Sequence, residues 1–273
     1  MWPTSAVIDA VFIPLYVVLL VLNARNVFHH GRSRTGGFIS LLIFALVHLA
    51  GNVILVVEYT QHYTSVTATV WGYILQSVGL SFLVSASIAF FARARACLRG
   101  GEEPRVGRAV KLLNLVNLAA LVCVITGYTS TSFTDAQGHM IPNVHLPAQT
   151  KVGAVLYVLL ALTAGGMALL GLKTSAAEGN KGREAKKIKI ALLVACPLMI
   201  VRAGYATYTV WTGSALVPTN IWVKLVLQYI AEYAAVLVYT ALGFVLPKPN
   251  ALLHDIESVE SGFALKPEWN GKA

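Results

Sequence analysis

Seven uninterrupted apolar stretches, each about 20 residues or slightly longer, leave this chain little choice of fold. They run from Ser5 to Asn23, Gly37 to Tyr59, Thr67 to Phe91, Ala109 to Thr131, Gly153 to Leu172, Ile188 to Thr212 and Ile221 to Leu246. A helix rises about 1.5 Å per residue, so each stretch can cross a hydrocarbon core of about 30 Å with room to tilt. A strand of a membrane barrel would alternate polar and apolar residues over about 10 positions, and these stretches are continuous. Helices also satisfy their own backbone hydrogen bonds where no water is present. The expected fold is all-α: a polytopic bundle of seven transmembrane helices over residues 1–246 and a short polar tail over 247–273.

Charge usage supports this reading. Only 12% of the 273 residues are charged and 56% are hydrophobic, whereas soluble domains carry about 25% charged residues. A secreted disulfide scaffold, a disordered chain and a nucleic-acid-binding module are excluded, although the net charge of +9 alone would suit the last. That charge is distributed in a way that orients the bundle. Arg25, Arg32 and Arg34 flank the first connection, and Arg93, Arg95, Arg99, Arg105, Arg108 and Lys111 flank the third. Lys173, Lys181, Arg183, Lys186, Lys187 and Lys189 flank the fifth, and Lys248, Lys266 and Lys272 lie in the tail. These are 18 of the 21 basic residues, all on one face; the positive-inside rule makes that face cytosolic, with the N-terminus lumenal and the C-terminus cytosolic. The expected location is the endoplasmic reticulum, and membrane lipid is an expected partner. The three cysteines, Cys97, Cys123 and Cys196, offer no lumenal disulfide, and there is no Asn-x-Ser/Thr sequon.

Ionisable side chains inside such spans are costly and mark sites by default. The first span holds Asp9; the second holds His48 and Asn52 on one face, then Glu58; the third holds Gln76 and a stripe of Ser77, Ser81 and Ser85. The sixth holds Arg202 and Tyr205 behind Pro197, and the seventh places Lys224, Gln228 and Glu232 at four-residue intervals. Counting the helical rise from the span ends puts His48, Gln76, Arg202 and Glu232 in a central layer, with Asp9, Glu58 and Lys224 nearer the lumen. A polar cavity opening towards the lumen is the economical interpretation. A structural Arg202–Glu232 ion pair and a chemical role are both open for that pair. Trp71, Trp211 and Trp222 suit an interfacial aromatic belt or an aromatic wall facing a cation.

Several seven-helix chemistries fail on residue placement. A retinal-binding protein needs its lysine midway along the last helix, and Lys224 lies about one turn from the end. A b-type haem needs paired histidines, and His48 is alone within the spans. No zinc-type cluster or phosphate-binding loop occurs, and neither metal nor cofactor is expected; Asp135, His139 and His145 form only a weak metal candidate. Carboxyl groups in an apolar cavity instead suit proton-initiated chemistry on a lipophilic substrate, because an apolar setting disfavours the charged carboxylate and keeps a proton on it. Glu58, Glu232 and Asp9 are the candidate catalytic acids. His48, Asn52, Gln76, Arg202, Tyr205, Lys224, Gln228, Trp71 and Trp222 are the candidate substrate-binding or electrostatic residues.

The segments from His30 to Phe38 and from Leu41 to His48, Ser77-Val78-Gly79-Leu80-Ser81, Pro197 to Tyr205, and Ala231-Glu232 with Tyr239 to Gly243 carry a resemblance. Together they resemble a large group of fungal seven-span proteins, and within it the membrane-bound terpene cyclases of ascofuranone and ascochlorin biosynthesis. That resemblance implies an enzyme that, without a metal, protonates a terminal epoxide on a farnesylated phenolic meroterpenoid and closes a tetrahydrofuran or cyclohexanone ring. The implied partner is a lipophilic prenylated aromatic epoxide. Position 48 departs from the group's pattern, in which arginine is expected. A lipid-responsive receptor or a transporter, acting without covalent chemistry, is the alternative for the same bundle.

Overall fold

The structure is a computed structural model that describes residues 4–30, 37–61, 65–99, 104–133, 141, 144–172, 180–213 and 220–246. Among the described residues it is all-helical, with no strand. Seven helices are long and apolar enough to cross a membrane. They are α1 (Thr4–His30), α2 (Phe38–Thr60), α3 (Val66–Arg99), α4 (Pro104–Thr129), α5 (Ala148–Leu172), α6 (Asn180–Thr212) and α7 (Ile221–Val245). The expected tail, Asp135 and His139 lie outside the described residues, and His145 is exposed.

The helix ends follow local chemistry. Gly37 precedes α2 at φ +70°, where a Cβ would also crowd the Ala86 carbonyl and the Phe90 ring. Gly213, at φ +72°, ends α6 in the same left-handed conformation. The Asn220 side chain accepts from Trp222 N and starts α7. Three helices run well past the apolar stretches: α1 by seven residues, α3 by eight at its C-terminus and α6 by eight at its N-terminus. Residues expected in connections, including His29, His30, Arg93, Arg95 and Arg183 to Lys189, are therefore helical. Hydropathy detects the apolar portion alone, whereas nothing in these basic segments breaks a helix.

α3 is the most enclosed helix and packs against α2, α4, α5 and α6. α1 lies against α2 and α7, and α7 closes onto α6. Outward-facing residues are apolar: on α4 alone, Leu112, Leu115, Leu118 and Val122 are exposed. Continuous apolar outer faces around buried polar residues suit surrounding lipid rather than water.

Polar contacts lock the helices at the end of the bundle that carries most of the basic residues. Asn26 donates to the Thr240 carbonyl at 3.0 Å, Thr240 Oγ1 donates to Asn23 Oδ1 at 3.1 Å, and His30 Nε2 donates to the Gly243 carbonyl at 2.7 Å. These bonds stitch α1 to α7. Arg93 donates twice to Glu184 Oε1, at 2.9 and 2.6 Å, and ties α3 to α6. The serine stripe is mainly a packing device: Asn117 on α4 donates to the Ser81 carbonyl and to Ser85 Oγ, and accepts from Ser81 Oγ. Interhelical hydrogen bonds of this kind contribute about 0.6 kcal/mol each in apolar surroundings.

Candidate functional site

The centre of the bundle holds a buried hydrogen-bonded network drawn from five helices. Glu232 on α7 is its hub: Arg202 Nε on α6 donates to Oε2 at 2.8 Å, and His48 Nε2 on α2 donates to Oε1 at 3.1 Å. All three side chains are buried. Arg202 also reaches the Gln76 carbonyl on α3, at 3.5 Å. His48 is held in place by rings on both sides, with centroids 4.3 Å away at Phe44 and 5.0 Å away at Tyr16. The facing residue on α3 is Gly79, whose hydrogen occupies the one place where a Cβ would run into the imidazole. Glycine is needed here for close approach.

A second cluster adjoins the first through Gln76. The Gln76 amide donates to Asn52 Oδ1 at 2.7 Å and to Asp9 Oδ1 at 3.1 Å. Tyr229 OH donates to the same Asp9 oxygen at 2.5 Å and approaches Gln76 Oε1 at 3.3 Å. Both bonds to Asp9 fall on Oδ1, so a proton on this carboxyl group is carried by Oδ2. Lys224 is buried near Asp9, with its ammonium 4.8 Å from the ring centre of Tyr73 and 5.6 Å from that of Tyr229.

A π-helical turn, Leu225–Ile230, produces part of this arrangement. Regular α-helical spacing from Lys224 predicts Gln228 on the same face as Glu232. The wider turn makes Tyr229, five residues after Lys224, the buried residue, and leaves Gln228 at the edge of the cleft. Tyr229 and Tyr16 in the network, with Tyr73, Tyr128 and Tyr157 in the cleft beside it, are site residues that sequence reasoning missed. The only signal for Tyr229 was an aromatic residue three positions before Glu232, and α-helical periodicity sets it about 140° around the helix from Lys224.

Beside the network, a cleft runs between α3, α4, α5, α6 and α7. It encloses about 40 Å³, and about 630 Å³ when open space out to its mouth is included. The smaller figure is room for a few water molecules. Arg202, Lys224, Gln76 and Gln228 form its polar wall; Tyr73, Tyr128, Tyr157 and Tyr205 form much of the rest. Tyr128 also borders a groove of about 400 Å³ between α3 and α4, alongside Val70, Ile74 and Phe133. Asp9 and Glu232 are not in the cleft wall: Asp9 stands behind Gln76, and Glu232 behind Arg202.

The remaining expected residues are placed elsewhere. Glu58, close to the end of α2, accepts from Ser65 N at 3.0 Å and thereby fastens the start of α3, where Ser65 Oγ in turn accepts from Ala68 N. The structure gives this carboxyl group a helix-terminus role and does not join it to Asp9 or Lys224. Trp71 and Trp222 are 45% and 64% exposed and neither is in the cleft wall, although Trp71 borders the adjoining α3–α4 groove. Trp211 is also exposed and receives Lys151 over its ring at 5.3 Å. Among the described residues no group of three or more His, Cys, Asp or Glu side chains is arranged to hold a metal ion.

Comparison with known proteins adds a family assignment. Residues 5–249 match the family described as a domain of unknown function, DUF7702, and neither a curated protein nor a solved structure matches the chain. The match covers the whole bundle, and on that extent the chain belongs to the DUF7702 family.

Proposed function

We propose that the protein is a membrane-embedded terpene cyclase that opens the terminal epoxide of a farnesylated phenolic substrate and closes a ring without a metal. The observation that supports this reading most directly is the division of labour between two buried carboxyl groups beside one cleft. Glu232 faces two basic groups, Arg202 and His48, and serves as the anion of an ion pair. Asp9 accepts its hydrogen bonds from a hydroxyl and an amide, both on Oδ1, with the Lys224 ammonium near it but not hydrogen-bonded to it, which leaves Oδ2 to hold a proton. Two carboxyl groups with contrasting partners are the recurring arrangement for separate acid and electrostatic roles.

In the proposed reaction Asp9 transfers its proton to the epoxide oxygen as the C–O bond breaks at the more substituted carbon. A substrate hydroxyl or alkene then closes the ring, and the proton that the closing group or a neighbouring carbon loses returns to the Asp9 carboxylate. The overall change is an isomerisation, so no oxidant or reductant is consumed. The tyrosine-lined walls stabilise the developing cation and keep water from it, while the Glu232 carboxylate holds and neutralises the Arg202 guanidinium at the cleft wall. Gln76 both borders the cleft and donates to Asp9, and is therefore the residue through which a bound molecule reaches the acid. A substrate of this size must enlarge the cleft, and displacement of the Tyr128 ring, which borders both spaces, would join it to the α3–α4 groove.

Microsomes carrying the protein are expected to convert a farnesylated phenol epoxide into a cyclic isomer resolved by chromatography, since its mass is unchanged. Asp9→Asn should lower turnover by about 10²-fold or more. Unchanged turnover in Asp9→Asn, Glu232→Gln and Glu58→Gln alike refutes the acid mechanism. Saturable binding or transport of the epoxide without an isomeric product identifies a receptor or transporter instead. The proposed setting is the endoplasmic reticulum with the N-terminus lumenal, which a glycosylation tag placed before Thr4 tests directly.

A further inference from the structure

The cleft presents two buried cations, and they are not equally compensated. Arg202 is paired with Glu232 at 2.8 Å. Lys224, 5% exposed, donates no hydrogen bond and forms no ion pair among the described residues; its ammonium rests against the rings of Tyr73 and Tyr229. Ring faces attract an ammonium but supply no acceptor for its three N–H donors and no counter-charge. The neighbouring carboxyl group, Asp9, already receives Tyr229 and Gln76 on Oδ1. On the cyclase reading, Asp9 is protonated before turnover and gives Lys224 no counter-charge; this step of the inference rests on that reading.

Lys224 borders the cleft together with Gln228, Gln76 and Arg202. These supply an ammonium, two primary amides and a guanidinium, while the tyrosines that share the lining offer flat, largely apolar surface. One uncompensated positive charge matches one negative charge, so a multiply charged phosphate is a poor fit. We propose that Lys224 anchors the singly charged oxyanion head, a phenolate or carboxylate, of a lipophilic weak acid, whose apolar body lies against the tyrosines. Lys224 is then the residue that selects substrates by their acidic head, and Gln228 and Gln76 orient the oxygen by hydrogen bonding.

The full chain in lipid nanodiscs is tested with four probes: a farnesylated nitrophenol, its methyl ether, a fifteen-carbon fatty acid and its methyl ester. Binding is measured by equilibrium dialysis at a pH where both acids are ionised. At least one acid is expected to bind tenfold or more tightly than its neutral counterpart, and the tighter of the two identifies the head as phenolate or carboxylate. Lys224→Met should bring that ratio close to one, and Lys224→Arg should retain most of it. The proposal is overturned if wild-type protein binds each acid and its neutral counterpart alike, if no probe binds, or if Lys224→Met keeps the ratio. The wild-type comparison is decisive even where Lys224→Met does not fold. A clear acid preference without conversion of any epoxide upholds the oxyanion site and rejects the cyclase; conversion without an acid preference rejects the oxyanion site alone.

Discussion

Removing one partner of the Arg202–Glu232 pair should cost far more than removing both. The side chains are 3% and 1% exposed, and their 2.8 Å contact lies at the centre of the bundle. Arg202→Met leaves Glu232 with His48 as its remaining hydrogen-bond partner among the described residues. An uncompensated buried charge of this kind costs about 3–5 kcal/mol. Glu232→Gln strands the guanidinium instead, with the Gln76 carbonyl at 3.5 Å as its remaining described partner, and should cost a similar amount. Methionine fills much of the volume of arginine, so the double variant Arg202→Met/Glu232→Gln exchanges an ion pair for apolar packing beside a neutral amide and should cost about 0–2 kcal/mol. The double-mutant cycle therefore gives a coupling of at least about 4 kcal/mol. Reversible unfolding in mixed micelles, followed by helix signal against detergent composition, measures all four corners. Single variants that each cost under about 1 kcal/mol, or a double variant that costs the sum of the singles, would refute the reasoning.

Three further outcomes follow from the geometry. Gly79→Ala places a methyl group against the His48 ring and should destabilise the protein by about 1–3 kcal/mol, whereas Gly107→Ala, with open space around the new methyl group, should be neutral or slightly stabilising in the same unfolding assay. Glu58→Gln loses the charged acceptor for Ser65 N and should cost about 1 kcal/mol of stability with turnover kept, while Asp9→Asn should show the reverse priority in paired stability and turnover measurements. Deleting Val226, an exposed residue within the π-helical turn, should remove the one extra residue that the wide turn absorbs and restore α-helical geometry, with Lys224 and Glu232 close to their present relative orientation. Amine-reactive labelling of Lys224 should then stay as slow as in the parent protein; clearly faster labelling would show that the turn does more than absorb one extra residue.

The apolar stretches make seven spanning helices legible from local composition, since a run of about 20 apolar residues has few alternatives whatever its neighbours. The same scarcity of charge picks out Asp9, His48, Arg202, Lys224 and Glu232, because any polar residue retained in such a segment stands against a uniform background. Their depth is also readable, as it depends only on counting residues along an axis. Their partners are not. Which carboxyl group meets Arg202 depends on how each helix is rotated about its axis and which helices are neighbours, and Glu58, Asp9 and Glu232 look equivalent until packing assigns one to a helix terminus, one to Tyr229 and Gln76, and one to the ion pair. Helical periodicity assumes a constant turn, so one π-helical turn was enough to exchange Gln228 for Tyr229. The extensions of α1, α3 and α6 were hidden because hydropathy reports contact with lipid and not backbone conformation. Sequence alone determined the all-helical architecture and the ionisable residues of the central network, both being properties of segments; Asn117, buried on α4, was not among the residues it singled out. Only the tertiary structure decided which of those residues touch, because contact depends on helix rotation and neighbour identity, and those are set by packing between segments distant in the chain.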